Sequence, residues 1–401
     1  MISYFRSSVW LQNFLLVIVT LLLFYSQKGA ILNSYITFNG DSAFYLSSGK
    51  FLSQGFIPYS DFWDHKTPFI HYLSLLCYES FDGSYFGGVF ISTVAVLIGF
   101  ILWSILIFNR NIILGLIFTI AYFILLKTNH ELVFMGETFC FLVSSLAIYF
   151  LFKNKSPTYR NTFIGLFFLV FSFLIKQLVV FDSIIVLIFL VLNYEFWKSR
   201  INHFVLLIIA SSSCAILINL VPLILTDSWN EFVPCFLHNF GYSSNRLGFN
   251  LKSFDFAYSL PLFGSLLLIF TAFWVRGRQA KRILTLLLLF VWVMGSWFMS
   301  NGTHHHYMIT LWQPFLFSFF YLSRVLPSPL SIKLKPYSLL ICIPIFMVSP
   351  LLASKFEEMK LKPEIYTFIE ENTNPDDSYF MFSNHNGGTL MHLDRIPSSH
   401  Y

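Results

Sequence analysis

The residues best suited to chemistry in this chain of 401 amino acids crowd into its first hundred positions. Asp41 follows Asn39 and Gly40 and leads into Tyr45 and Leu46. After Gly55, Pro58 and Tyr59 come Asp61, Asp64, His65 and Lys66, and Thr67 and Pro68 close the run. Carboxylates beside an ammonium group suit a group transfer. The carboxylate takes a proton from an attacking hydroxyl, and the cation steadies an anion as it leaves. A plainer reading stands next to this one. Asp41 can serve as a helix N-cap, with Asp61 and Asp64 as solvated turn residues.

Fewer candidates lie further along. Lys176 and Gln177 interrupt an apolar run, with Asp182 close behind. A cation there either faces a polar cavity and contacts phosphate or snorkels to lipid headgroups. Glu137 sits about 9 Å deeper than Glu131 at a helical rise, where an acid is expensive unless paired. It either binds a sugar-type hydroxyl or pairs with Lys127, Lys176 or a His. Consecutive His304, His305 and His306 diverge on a helix, which argues against one shared metal ion. His305 or His306, with Tyr307 beside them, better suits hydrogen bonding to a ligand. Arg246 is the one Arg of the outer loops, and it suits either bidentate phosphate contact or contact with a lipid headgroup.

The elements that must position these groups are set by lipid. Hydrophobic residues make up 56% of the chain and charged ones only 11%, well below the quarter or so of a soluble domain. Fifty Phe and twenty Tyr fit lipid-facing and interfacial helix surfaces. The small net charge of +5 reflects topology and implies no nucleic-acid partner. The five cysteines (Cys77, Cys140, Cys214, Cys235 and Cys342) form no metal-binding spacing, although Cys77 and Cys235 could meet outside the membrane. Arg6 followed by an apolar run with no convincing cleavage site reads as a retained first span.

Spanning the hydrocarbon takes about 20 apolar residues. Runs at roughly 9–26, 86–108, 112–127, 132–152, 204–225, 258–275, 283–299, 306–323 and 336–353 qualify. The stretch 161–193 would be about 50 Å long as one helix, so a hairpin turning near Lys176 is expected. Eleven spans and an inner N-terminus then place 14 of the 25 Lys and Arg in short inner segments, as the positive-inside rule requires. A single helix would send those from Lys198 onward outside. Two long outer loops follow, about 27–85 and 227–257. Asp41 opens an amphipathic helix that Gly55 and Pro58 end, and a second runs over about Pro68–Tyr78. No repeat and no soluble nucleotide-binding domain is visible.

Asp41, Tyr45-Leu46, Gly55 with Pro58-Tyr59, Lys66-Thr67-Pro68, Lys176-Gln177, and His306-Tyr307 with Pro314 form an ordered series over about residues 30–320. It resembles the GT-C glycosyltransferases that use polyprenyl-phosphate sugars, in the branch of the bacterial aminoarabinose-lipid A transferase and the protein O-mannosyltransferases. The resemblance implies an all-α polytopic GT-C membrane fold with Asp41 as catalytic carboxylate and Lys66 on the donor phosphate. It also implies a lipid, glycan or protein acceptor, and a bacterial inner membrane with the site facing outward rather than an ER membrane. Lys176 and Arg246 join Lys66 as phosphate contacts. Tyr45, Tyr59, Asp61, Asp64, His65, Glu137, Gln177, His305, His306 and Tyr307 are the substrate-binding candidates. Many relatives carry an acidic pair where Ser42 follows Asp41 here, which leaves the role of a divalent metal open. The membrane domain is expected over 1–353, with a short or truncated outer tail over 354–401. The competing readings are a lipid-linked saccharide flippase and an oligosaccharide polymerase. The first would place ionisable groups near the midplane, and the second would place its large loop late in the chain.

Overall fold

The computed structural model describes residues 40–326, apart from 63, 65, 84–85, 129–135, 155, 245–255, 277–279 and 301–308. The expected spans 9–26 and 336–353 and the tail 354–401 lie outside the described residues, which form α-helices and one isolated bridge between Pro58 and Phe62.

Two short helices come first, α1 (Gly40–Ser53) and α2 (Phe69–Ser80). Gly55, at φ +92°, ends the first, as its freedom from a Cβ allows. Pro68 leads into the second, where a missing N–H is harmless. The pair crosses closely at Gly49, whose amide donates to Ser74 Oγ at 3.1 Å. A Cβ at Gly49 would fall 2.5 Å from the Ser74 carbonyl oxygen.

The bundle follows as α3 (Phe86–Phe108), α4 (Ile112–Thr128), α5 (Gly136–Phe152), α6 (Tyr159–Ile175), α7 (Val180–Asn193), the single turn α8 (Glu195–Lys198) and α9 (Ile201–Leu225). Then come α10 (Trp229–Ser244), α11 (Phe256–Arg276), α12 (Ala280–Ser300) and α13 (Ile309–Val325). Segments 90–108 and 201–225 are each long and apolar enough to cross a membrane alone. Shorter apolar helical stretches lie at 113–122, 136–152, 159–175, 180–192, 260–273 and 283–298. α13 is buried all round from Leu311 to Ser323, which marks it as a central helix, and it packs on α11, α12, α5 and α3. Gly165 lets α5 and α6 approach, since a Cβ there would meet Leu151 at 2.6 Å. Small residues of this kind are what membrane helices use to pack closely. Leu206, Ile209, Leu217 and Ile224 of α9, with Leu267 and Phe270 of α11, are large apolar side chains left exposed. Such a surface calls for lipid rather than water.

The hairpin expected near Lys176 is present. α6 ends at Ile175, a 3₁₀ turn covers Gln177–Val179, and α7 starts at Val180. The reversal shows in the return of the chain to its starting level: Tyr159, at the start of α6, packs on Phe196 and Trp197, just past α7. Within the stretch 227–257 the first part is helix α10, whose Phe232, Cys235 and Phe236 form an apolar edge that packs with Tyr59. Cys77 and Cys235 carry free thiols buried in separate clusters. Burial pushes the Cys77 thiol up to about 12.

Candidate functional site

The connection between α1 and α2 is tightly built. Asp61 Oδ2 accepts from the Ile57 amide at 2.6 Å, and the Asp61 amide donates back to the Ile57 carbonyl at 2.9 Å. One oxygen of the Asp61 carboxylate is therefore engaged by the backbone of its own turn. Tyr59 adopts φ 72°, a conformation that is strained for a non-glycine residue. Its hydroxyl donates to the Lys66 carbonyl at 2.7 Å. Burial, with the nearby Asp64 charge adding to it, raises the Tyr59 phenol well above its ordinary value, so it stays a donor.

Asp64 is no solvated turn residue. It is 4% exposed, and its Oδ2 lies 2.9 Å from Nε2 of His71, which is fully buried on α2. The other imidazole nitrogen, Nδ1, is 3.0 Å from Ser48 Oγ on α1, and that hydroxyl donates to the Tyr45 carbonyl at 2.6 Å. With its proton so committed, Ser48 accepts from Nδ1–H. Nε2 then faces the Asp64 carboxylate. The approach is an ion-pair contact, off the direction of a good hydrogen bond. Phe44, Tyr45, Tyr59 and Phe62 wall the imidazole, with ring centroids 5.4–6.3 Å away. The result is a clamp that holds α1, α2 and the connecting loop together around Lys66.

That loop docks on the bundle where α6 ends. Thr67 Oγ1 donates to the Leu174 carbonyl at 2.7 Å, two residues before Lys176. Lys66 is 7% exposed and Lys176 8%. The Lys176 ammonium pairs with Glu137 at the start of α5, one of the three partners open from sequence. Gln177 opens the 3₁₀ turn. Two buried ammonium groups thus stand at one end of the bundle, one on the loop and one at a helix break. Low surrounding polarity strengthens the field they present.

Three polar groups here were missed by sequence reasoning. His71 and Ser48 form the clamp, and Asn219 of α9 is considered below. Asp182 on α7 ties to α12: Trp292 Nε1 donates to Oδ1 at 2.5 Å and Ser296 Oγ at 3.1 Å. His71 could have been flagged, since Ile70, His71, Ser74 and Cys77 share the buried face of α2 at helical spacing.

Asp41 lies in the first turn of α1 rather than at its cap; its side chain is outside the described residues, as are His65, Arg246, His305, His306 and Tyr307. Among the described residues no group of three His, Cys, Asp or Glu side chains is arranged to hold a metal ion. The carboxylates at hand are committed, Glu137 to Lys176 and Asp64 to His71.

This all-helical bundle, with the α1–α2 connection docked where α6 breaks into α7, has the polytopic GT-C membrane fold. Among solved structures, the chain is similar to the crystal structure of ArnT from Cupriavidus metallidurans bound to undecaprenyl phosphate. The TM-score is 0.53 at 15% identity, and the match covers 90% of this chain and 68% of that one. The GT-C fold expected from the sequence is therefore met. No protein-family model and no curated protein matches the sequence.

Proposed function

We propose that the chain transfers a sugar from a polyprenyl-phosphate donor to an acceptor hydroxyl or amine on the outer face of a bacterial inner membrane. The observation that supports this most is the pair of buried lysines, Lys66 and Lys176, brought to one end of the bundle by the Thr67–Leu174 bond. Two ammonium groups set among apolar helices suit a phosphate that carries a lipid tail, because the tail lies in the membrane while the head meets the charges. The similarity to a fold solved with undecaprenyl phosphate points the same way.

The reaction is a displacement at the anomeric carbon. The acceptor oxygen or nitrogen bonds to that carbon as the bond from carbon to phosphate oxygen breaks, inverting the centre. The acceptor's proton passes to the Asp41 carboxylate. Polyprenyl phosphate leaves as an anion whose growing charge Lys66 and Lys176 stabilise. Lys176 is already balanced by Glu137, so it can turn one of its three N–H donors to phosphate without entering an otherwise unpaired state. The clamp of Asp64, His71 and Ser48 keeps Lys66 in place, so these residues position and do not react. The membrane domain over 1–353 and the tail over 354–401 go with this reading.

The test is an in vitro transfer assay with a panel of polyprenyl-phosphate sugars and mixed acceptors, comparing the wild type with Asp41→Asn. The expected result is transfer by the wild type and loss of about 10²–10⁴-fold in the variant. Full transfer by folded Asp41→Asn removes the assigned base. Lipid translocation with no transfer by the wild type supports a flippase instead.

A further inference from the structure

Asn219 on α9 has a feature that its neighbours avoid. It is 4% exposed, and neither Nδ2 nor Oδ1 meets a hydrogen-bond partner among the described residues. A buried amide left so carries the full penalty of lost hydration. Other polar side chains of this segment satisfy themselves locally: Ser211 Oγ donates to the Ile208 carbonyl at 3.1 Å, and Thr226 Oγ1 to Pro222 at 2.8 Å. Asn219 does neither, and it does not face lipid. Ser211, Ala215, Asn219 and Leu223 are the buried residues of α9 at four-residue spacing, the stripe that packs against α6.

The depth of Asn219 follows from the register of those two helices. Tyr159, the first residue of α6, lies ring to ring with His203, near the start of α9, at 6.0 Å. Both helices rise about 1.5 Å per residue, so the same offset sets Phe171 level with Ala215 and Ile175 level with Asn219. Phe171, Ile175 and Ala215 do share one cluster. Asn219 therefore stands where α6 ends, at the height of Leu174, which takes the Thr67 hydroxyl, and of Lys176. One turn beyond it, Leu223 packs in the cluster of Tyr59. The unpaired amide is thus level with the two lysines.

We infer that Asn219 recognises the sugar of the lipid-linked donor, pairing with two of its hydroxyl groups; this rests on the donor reading proposed above. The chemistry of the carboxamide makes the choice. It offers a donor, Nδ2–H, and an acceptor, Oδ1, side by side. A phosphate has only acceptors and would leave Oδ1 unpaired, and an ammonium group would leave Nδ2 unpaired. Neighbouring hydroxyls both give and accept, so a sugar satisfies the two ends at once. With the phosphate on the lysines, the sugar is one bond away. A site built to hydrogen-bond a hydroxyl rejects ligands that lack it, which makes Asn219 a specificity residue rather than a reacting one.

The test measures binding by native mass spectrometry of the full chain in lipid nanodiscs. Probes are polyprenyl-phosphate hexoses and pentoses of gluco, manno and arabino configuration, each against bare polyprenyl phosphate. The wild type is expected to bind at least one sugar-bearing lipid about tenfold more tightly than the bare phosphate. Asn219→Leu, of similar volume, is expected to lose that surplus while binding the bare phosphate as the wild type does. Its thermal midpoint should equal or exceed the wild type's, because two unpaired polar atoms are gone. Asn219→Ala repeats the measurement should the Leu variant misfold. A surplus retained in the folded variants, or absent from the wild type, overturns the inference. A surplus lost in the variants while the wild type transfers nothing keeps the inference and sinks the transferase.

Discussion

The two ends of the bundle treat their cations in opposite ways. At the end beneath α1 and α2, Lys176 is buried against Glu137, and Lys66 is buried in a loop that the Asp64–His71 contact braces. At the other end, cations lie over aromatic rings. The Arg110 guanidinium sits 4.6 Å above Phe320, Lys153 Nζ 4.2 Å above Phe150, Arg200 4.1 Å above Phe196, and Arg324 5.5 Å above the same Phe320. Burial, then the neighbouring Arg324, lowers the Arg110 guanidinium to about 10, which still leaves it charged at neutral pH. These residues belong to the segments that sequence assigns to the inner side, and the chain does gather them. Asn111 Nδ2 donates to the Leu326 carbonyl at 2.7 Å, and Tyr194 OH to the Asn154 carbonyl at 3.5 Å. Cations over rings at a membrane boundary serve as anchors. Burying ammonium groups with carboxylates gives little net stability, so that arrangement needs another reason. Binding an anion supplies one.

Substitutions at the two ends should therefore differ in kind. The largest effect belongs to Lys66→Met, which should lower transfer by about 10²–10³-fold with thermal stability close to the wild type. Arg110→Met at the opposite end should leave turnover within about twofold, since that charge is remote from the reacting groups. Equal losses from the two variants would erase the distinction between the ends.

Next comes the buried pair. Glu137→Gln removes the carboxylate charge from the Lys176 ammonium and should destabilise the protein by about 3–5 kcal/mol, read from unfolding in lipid nanodiscs. Adding Lys176→Met should restore most of that stability but not transfer. Should the double variant regain transfer as well, the pair is only structural.

A smaller change is expected at the helix crossing that carries the clamp. Gly49→Val drives side-chain carbons into the Ser74 backbone, and overpacking of this kind costs about 1–3 kcal/mol. The accompanying shift of Ser48 should loosen His71 and raise the KM for donor. An unchanged KM would detach the clamp from Lys66. Last, Arg324→Leu removes a cation from the Tyr194 and Phe320 rings and should cost no more than about 1 kcal/mol. A greater loss would mean that the anchoring end matters more to the fold than a cation resting on two rings suggests.

Much of the scaffold was legible because hydropathy and length act locally. The segments 86–108 and 112–127 nearly coincide with α3 and α4, and the bar on a 33-residue span forced the break that falls at Lys176. The site was legible only in outline. Glu137 and Lys176 each announced themselves as charges too deep to be alone, so their pairing could be anticipated. Asp61 and Asp64 look alike in sequence, yet one caps a turn and the other is buried on His71, since the difference depends on a helix crossing at Gly49. Helix α10 was not singled out because Pro234 and Gly241 interrupt its apolar residues. Only contact with Tyr59 makes its apolar edge meaningful. Asn219 was hidden for a related reason: polarity within an apolar run becomes informative once the register against α6 is known.

The central claim, that the buried lysines hold a lipid-linked phosphate, is tested most directly by the heat stability of the chain with and without added polyprenyl phosphate. A ligand at about 100 times its Kd stabilises the native state by about 2.7 kcal/mol. The wild type and Arg110→Met should both gain that increment, and Lys66→Met should gain little of it. Equal stabilisation of all three by the lipid phosphate would contradict the account.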